Sequence, residues 1–166
     1  MNKAFLKVFL DGINQHLFEE NWPRLKQCLL MCDEDLLWFR ANENTNSIGN
    51  LVLHLNGNLT QWVLHGIGGA VNIRNRDLEF VPNQTFTAAQ LIHDFEALIE
   101  ELKDVINKIE PLQLLEYRKV QGFDTTVCGI LIHVTEHFSY HLGQISLLVK
   151  QSKNIDLKYY GGLDLD

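Results

Sequence analysis

At 166 residues, with 46% hydrophobic and 21% charged residues, the chain has the balance of a globular protein built on one well-filled core. Its formal charge of −7 argues against a broad nucleic-acid or anionic-membrane surface, since either needs a basic patch. The opening MNKAFLKVFLDG has neither the long apolar core nor the cleavage site of a secretory signal, and no apolar run approaches a membrane span.

In chain order, Phe5, Val8, Phe9, Ile13 and Leu17 recur at helical spacing and predict a first amphipathic helix, continued by Leu25, Cys28, Leu29 and Cys32. Pro23 lies between the two runs, where it either kinks one long helix or opens a second from an Asn21 cap. Cys28 and Cys32 are four residues apart, and with Cys128 the cysteine count is odd. That pattern fits reduced thiols and a cytoplasmic location better than a disulfide frame. Asp33-Glu34-Asp35 starts a short turn leading to Trp38, Phe39 and Arg40, ANENTNS is a polar loop, and Ser47 is a suitable cap for the next helix.

That helix, predicted from Ser47 to about Gly66, carries a polar stripe of Ser47, Asn50, His54, Asn58, Gln61 and His65 among Ile48, Leu51, Leu55, Leu59 and Trp62. A solvated face is the usual meaning of such a stripe. This one lacks any Lys, Arg, Asp or Glu, so its amides and imidazoles fit a partly buried polar cavity better. Gly66, Gly68 and Gly69 end the helix. A loop over 70–86 follows, with Arg74, Arg76, Asp77 and Glu79 close together. Thr87 with Gln90 forms a capping box for a third helix, in which Leu91, Phe95, Leu98, Leu102, Val105 and Ile109 make the apolar seam and Pro111 the stop. EYRKVQGFDTTV is a connector with a short extended segment near Gly122. Asp124 or Thr125 is the expected cap of a last helix running to about Gln151, and Tyr159 and Tyr160 in the tail would dock on the bundle.

The last helix carries His133, His137 and His141 at four-residue steps, which drift only about 40° each and so share one side. Ile130, Val134, His137, His141, Ile145 and Leu148 trace the expected core stripe, which would put two imidazoles where leucines belong. Buried imidazoles need partners, because an unpaired buried polar group costs about 1–3 kcal/mol. A divalent metal ion is one such partner. His137 and His141 sit one turn apart, and His54, on a helix turned inward by Leu51 and Leu55, is the natural third ligand. Three imidazoles leave coordination positions open, as in a reactive site, and suit zinc, nickel, iron or copper. His133 falls off the centre of the stripe and is expected to line the cavity, while His16 and His93 read as surface histidines and His65 as a partner of helix-end carbonyls. The whole is expected to be an all-α, antiparallel-type four-helix bundle, a single domain over residues 1–166 with a short connector before the last helix.

HVTEHFSYHLGQI resembles the last-helix motif of the DinB/YfiT-like superfamily of metal-binding four-helix bundles, and SIGNLVLHLNGNLTQW its second-helix motif. RNRDLEF is similar to a signature of the DUF1572 branch, and the similarity runs from about Trp38 to Gln151. The resemblance implies a divalent metal, nickel or zinc most often, on His54, His137 and His141, and frequently a homodimer. Relatives with known activity include mycothiol-dependent maleylpyruvate isomerase and bacillithiol S-transferases. The chain departs from the branch in Thr60-Gln61 and in HGIGGAVN, where branch members tend to carry Ser-Arg and an acidic loop.

The expected function is therefore metal-dependent transfer of a low-molecular-weight thiol to a small electrophilic substrate. Asn50, Asn58 and Gln61 would line the pocket, and Arg74 or Arg76 would engage a substrate carboxylate or else hold the loop through ion pairs. The alternatives are a metal-dependent hydrolase, for which Glu136 is poorly aimed as a base, and a non-enzymatic metal-binding or stress-response protein. No nucleic-acid or membrane partner is expected.

Overall fold

The structure, a computed structural model, describes residues 3–82, 85–162 and 164. Pro23 does not break the first helix. The α-helix α1 (Lys3–Asn14) passes through a wider π-helical segment, Gln15–Asn21, into α2 (Trp22–Leu30). The Trp22 amide donates to the Leu17 carbonyl, five residues back, so the ladder is re-registered just ahead of the proline, which has no amide to donate. Asn21 is not a cap: its backbone is helical, and its side chain is buried and donates to Ser139 Oγ at 3.0 Å.

A short helix α3 (Glu34–Trp38) starts from Asp33, whose carboxylate accepts from the Leu36 amide at 2.8 Å. Ser47 and Asn50 form a reciprocal capping box at the start of α4 (Ile48–Leu59), which runs directly into a second π-helical segment, Thr60–His65. Trp38 lies against Gly49, where a Cβ would overlap its indole. In the second π segment four successive residues, Gln61 to Leu64, are all buried, which a helix packed on one face only would not permit.

The predicted 70–86 loop contains a 3-10 turn, Arg76–Phe80, and its residues 83 and 84 lie outside the described residues. Helix α5 (Ala88–Asn107) begins with the expected Thr87–Gln90 capping box. The connector forms a hairpin of β1 (Tyr117–Val120) and β2 (Phe123–Thr126), paired antiparallel with Val120 opposite Phe123. Its two-residue turn places Gln121 and Gly122 at φ 53° and 84°, the left-handed conformation that matches the twist of a tight hairpin. The strand uses Asp124 and Thr125 in pairing, so the cap of α6 (Val127–Lys153) is Thr126 instead, accepting from the Gly129 amide at 3.1 Å.

The core takes Ile13, Leu17, Leu25 and Leu29 from the first helix, Leu51, Leu55 and Leu59 from α4, and Phe95, Leu102 and Ile106 from α5. It is completed by Ile130, Leu131, Val134, Phe138, Leu142, Ile145 and Val149 from α6. Trp22 stacks on Phe95 at 5.1 Å, and Phe95 meets Phe138 at 5.6 Å. Cross-helix pairs fix the directions. Asn21 meets Ser139 and Cys28 meets Ser146, so the first helix and α6 run the same way. His54 meets His137 and Asn58 meets His133, so α4 opposes α6. Lys26 meets Glu96 and Asn14 meets Asn107, so α5 opposes the first helix. It follows that α4 and α5 point the same way, and 66–87 is a crossover that returns along α4.

Beyond Asn154, which ends α6 in the left-handed conformation, Leu157 is buried and Tyr159 docks as expected. The Tyr159 hydroxyl lies 2.7 Å from Ser146 Oγ and 3.2 Å from Cys28 Sγ, and Arg24 covers the rings of Tyr159 and Tyr160. All three cysteines are free, and no described helix is long and apolar enough to cross a membrane.

Candidate metal centre

The stripe on α6 is centred differently from the sequence expectation. Phe138, Leu142 and Val149 lie at its centre, and His137 and Leu148 at its half-buried edge. The histidines therefore do not replace core leucines. They occupy the seam where α6 meets α4, and His54 faces them from α4 with 7% of its surface exposed.

There, ring nitrogens of His54, His137 and His141 come within 4.8 Å of one another, and Nε2 of His54 lies 3.0 Å from Nε2 of His137. Burial, with the neighbouring positive charge His141, His54, His133 and Arg74 would carry, pushes His137 down to about 3, so it is a neutral nitrogen donor at ordinary pH. Burial lowers His141 as well, against a hydrogen bond to Gln144 that raises it. At His141, Nδ1 lies 2.8 Å from Gln144 Oε1, which accepts its proton and leaves Nε2 bare.

Glu79, on the crossover, is the feature the sequence did not single out. Its carboxylate is 7% exposed and lies 2.8 Å from His54 Nδ1. Arg74 grips the same carboxylate from two sides, Nε to Oε1 at 2.5 Å and Nη2 to Oε2 at 2.8 Å. Burial alone would raise the Glu79 pKa; hydrogen bonds from Arg74 and His54, with the Arg74 charge, outweigh it and hold it below the usual carboxylate range. The crossover can lie this close only because residue 57 is glycine: a Cβ there would fall on the Glu79 carboxylate and within 2.9 Å of Arg74 Nε.

The other polar residues of α4 divide. Asn50, expected in the pocket, faces the crossover, donating through Nδ2 to the carbonyls of Glu79 and Val81 at 2.9 and 3.1 Å. Gln61 Oε1 accepts from Arg74 Nη1 at 3.0 Å and from Gln121 Nε2 at 2.6 Å, joining the crossover to the hairpin turn. Arg74 is thus fully committed within the protein, while Arg76 lies over the Phe80 ring at 5.0 Å. Asn58 and His133 lie beside the triad. His133 packs against Trp62 at 4.1 Å and stacks on His137 at 5.3 Å, and its Nε2 is 3.5 Å from Asn58 Nδ2. Among the described residues Asn58 Oδ1 is buried with no partner. Aromatic rings cover the histidines: Phe80 lies 5.1 Å from His54 and Tyr140 5.0 Å from His141. His16 and His93 are exposed and His65 Nδ1 donates to the Ala70 carbonyl at 2.6 Å, as their positions predicted.

The residues fit a metal ion. Three imidazoles converge, two of them have Nδ1 turned toward an acceptor, and an orphaned amide oxygen lies beside them.

The helical bundle, which carries its histidine cluster between the second and last long helices, has the fold of a DinB-like protein. The crystal structure of a DinB-like protein (YjoA) from Bacillus subtilis superposes with a TM-score of 0.68 at 18% identity, covering 90% of this chain and 96% of that one. The chain itself belongs to the DUF1572 family, described as a protein family of unknown function, whose profile matches residues 8–161. Comparison with curated proteins finds no match.

Proposed function

We propose that the protein binds one divalent metal ion, nickel or zinc, through His54, His137 and His141, and uses it to transfer a low-molecular-weight thiol to a small electrophile. The observation that carries the metal assignment is the convergence of three imidazoles from two helices within 4.8 Å. When bound, the ion supplies Lewis acidity, lowering the pKa of a coordinated thiol or water. The chain's own residues orient and enclose. Glu79 and Gln144 hold Nδ1 of His54 and His141, while Phe80, Trp62 and Tyr140 surround the imidazoles with low-polarity surface.

A hydrolase reading is less well supported. Both oxygens of Glu79 are engaged by Arg74 and His54, and Glu136 is exposed, so neither is set to act as a base. Elemental analysis of the purified protein tests the proposal: about one ion per chain is expected, and His137→Ala that retains full metal content overturns the assignment. Turnover of a model electrophile that requires added thiol supports the transferase, and thiol-independent hydrolysis replaces it. Equilibrium sedimentation tests the expected homodimer.

A further inference from the structure

Two groups give opposite instructions to the same atom, Nδ1 of His54. The Glu79 carboxylate, 2.8 Å away, can only accept a hydrogen bond, and Nη2 of Arg74, 3.2 Å away, can only donate one. With Glu79 present, the closer contact calls for a proton on Nδ1, and Arg74 turns its Nη2 hydrogen to Glu79 Oε2 at 2.8 Å. In the neutral ring Nε2, the nitrogen facing His137 at 3.0 Å, is then the one that carries the lone pair.

We infer that Glu79 is a positioning residue that selects the metal-competent tautomer of His54, and that Arg74, deprived of Glu79, imposes the opposite one. Without the carboxylate, the nearest partner of Nδ1 is the guanidinium. Donation from Arg74 moves the imidazole proton to Nε2 and closes the nitrogen that faces the cluster. Arg74 therefore has two effects of opposite sign: it holds Glu79 in place, and it is the group that would poison the site if Glu79 were lost. The side chain of each is at most 8% exposed, so water does not readily substitute for either.

This inference rests on the three-histidine reading only for its consequence in metal affinity; the tautomer itself is readable without metal. Histidine side-chain ¹⁵N–¹H correlation spectra of the chelator-treated protein should show His54 protonated on Nδ1. In Glu79→Met the proton should move to Nε2, and zinc affinity, read by competition with a chromophoric chelator, should fall about 10–100-fold, the usual cost of losing an orienting partner of a ligand. In Arg74→Met/Glu79→Met, which removes both buried charges and so protects folding, neither instruction remains. The two tautomers should coexist, and affinity should recover to within about tenfold of wild type, a smaller loss than orienting partners usually cause when removed. A wild-type His54 protonated on Nε2 overturns the inference, as does a double variant that binds zinc no better than a folded Glu79→Met. His54→Gln separates the two readings: unchanged zinc affinity there removes His54 from the metal site, while the tautomer result stands on its own.

Discussion

Gly57 offers a test in which the ordinary expectation has the wrong sign. Glycine inside a helix costs about 0.5–1 kcal/mol relative to alanine, so Gly→Ala normally stabilises. Gly143 on α6 is such a position, since a Cβ there meets nothing within 4 Å. At Gly57 the added methyl would occupy the space of the Glu79 carboxylate and crowd Arg74 Nε at 2.9 Å. The ion pair would have to retreat as a unit, giving up its contact with His54 Nδ1. A hydrogen bond to a charged group contributes about 1.5–3 kcal/mol, so after the propensity gain a net loss of about 0.5–2.5 kcal/mol remains. Urea unfolding of the chelator-treated protein, followed by far-UV circular dichroism, measures it. Gly143→Ala should raise the midpoint and Gly57→Ala should lower it. A Gly57→Ala variant at least as stable as wild type would refute the argument that the crossover is seated against this residue.

Three further outcomes are expected. Ser47→Ala removes the oxygen that accepts from the Asn50 amide at 3.1 Å in a fully buried cap, and should cost about 1–2 kcal/mol in the same assay; a change below measurement error would contradict the capping role. Tyr159→Phe deletes the hydroxyl shared with Ser146 and Cys28, and should cost about 1 kcal/mol and hasten proteolytic trimming of the tail. Cys32 is pushed up to about 11, by burial first and then by the nearby Cys28 and Asp33. Its thiolate thus appears only at higher pH than in an ordinary thiol of pKa about 8.5, so alkylation at pH 8 should be on the order of 100-fold slower. The rate should climb about tenfold per pH unit toward pH 10; peptide-mapped mass spectrometry that finds it flat with pH would exclude the raised value.

The helices and the identity of the converging histidines were legible in the sequence because both are local, periodic signals. The uncharged stripe indicated burial for five of its six residues: Ser47, Asn50, His54, Asn58 and Gln61 are buried, while His65 is half-buried. The phase of α6 was misread because apolar residues almost surround that helix, and leucine-like spacing through His137 and His141 competes with Phe138 and Leu142, one residue further on. The cap moved to Thr126 because strand pairing, a longer-range signal, extends to that residue. Glu79 was out of reach for another reason. It lies 25 residues from His54 on a segment with no periodicity, and nothing local distinguishes it from Asp77. The closest clue was Gly57 in the middle of an otherwise apolar and amide-bearing helix, where an unexplained glycine marks the close approach of something else.

The crossover between the two parallel helices divides the site into parts that can change at different rates. The nitrogens that would hold the ion are built into α4 and α6 and inherit the rigidity of the core. The carboxylate that governs one of them arrives on a connecting segment, tied down by Asn50, Gln61 and the absence of a side chain at residue 57. Insertions and substitutions are better tolerated in connections than in packed helices. A lineage built on this bundle can therefore retune the basicity of His54, or abolish its preference for one tautomer, by rewriting a short loop while every helix stays where it is.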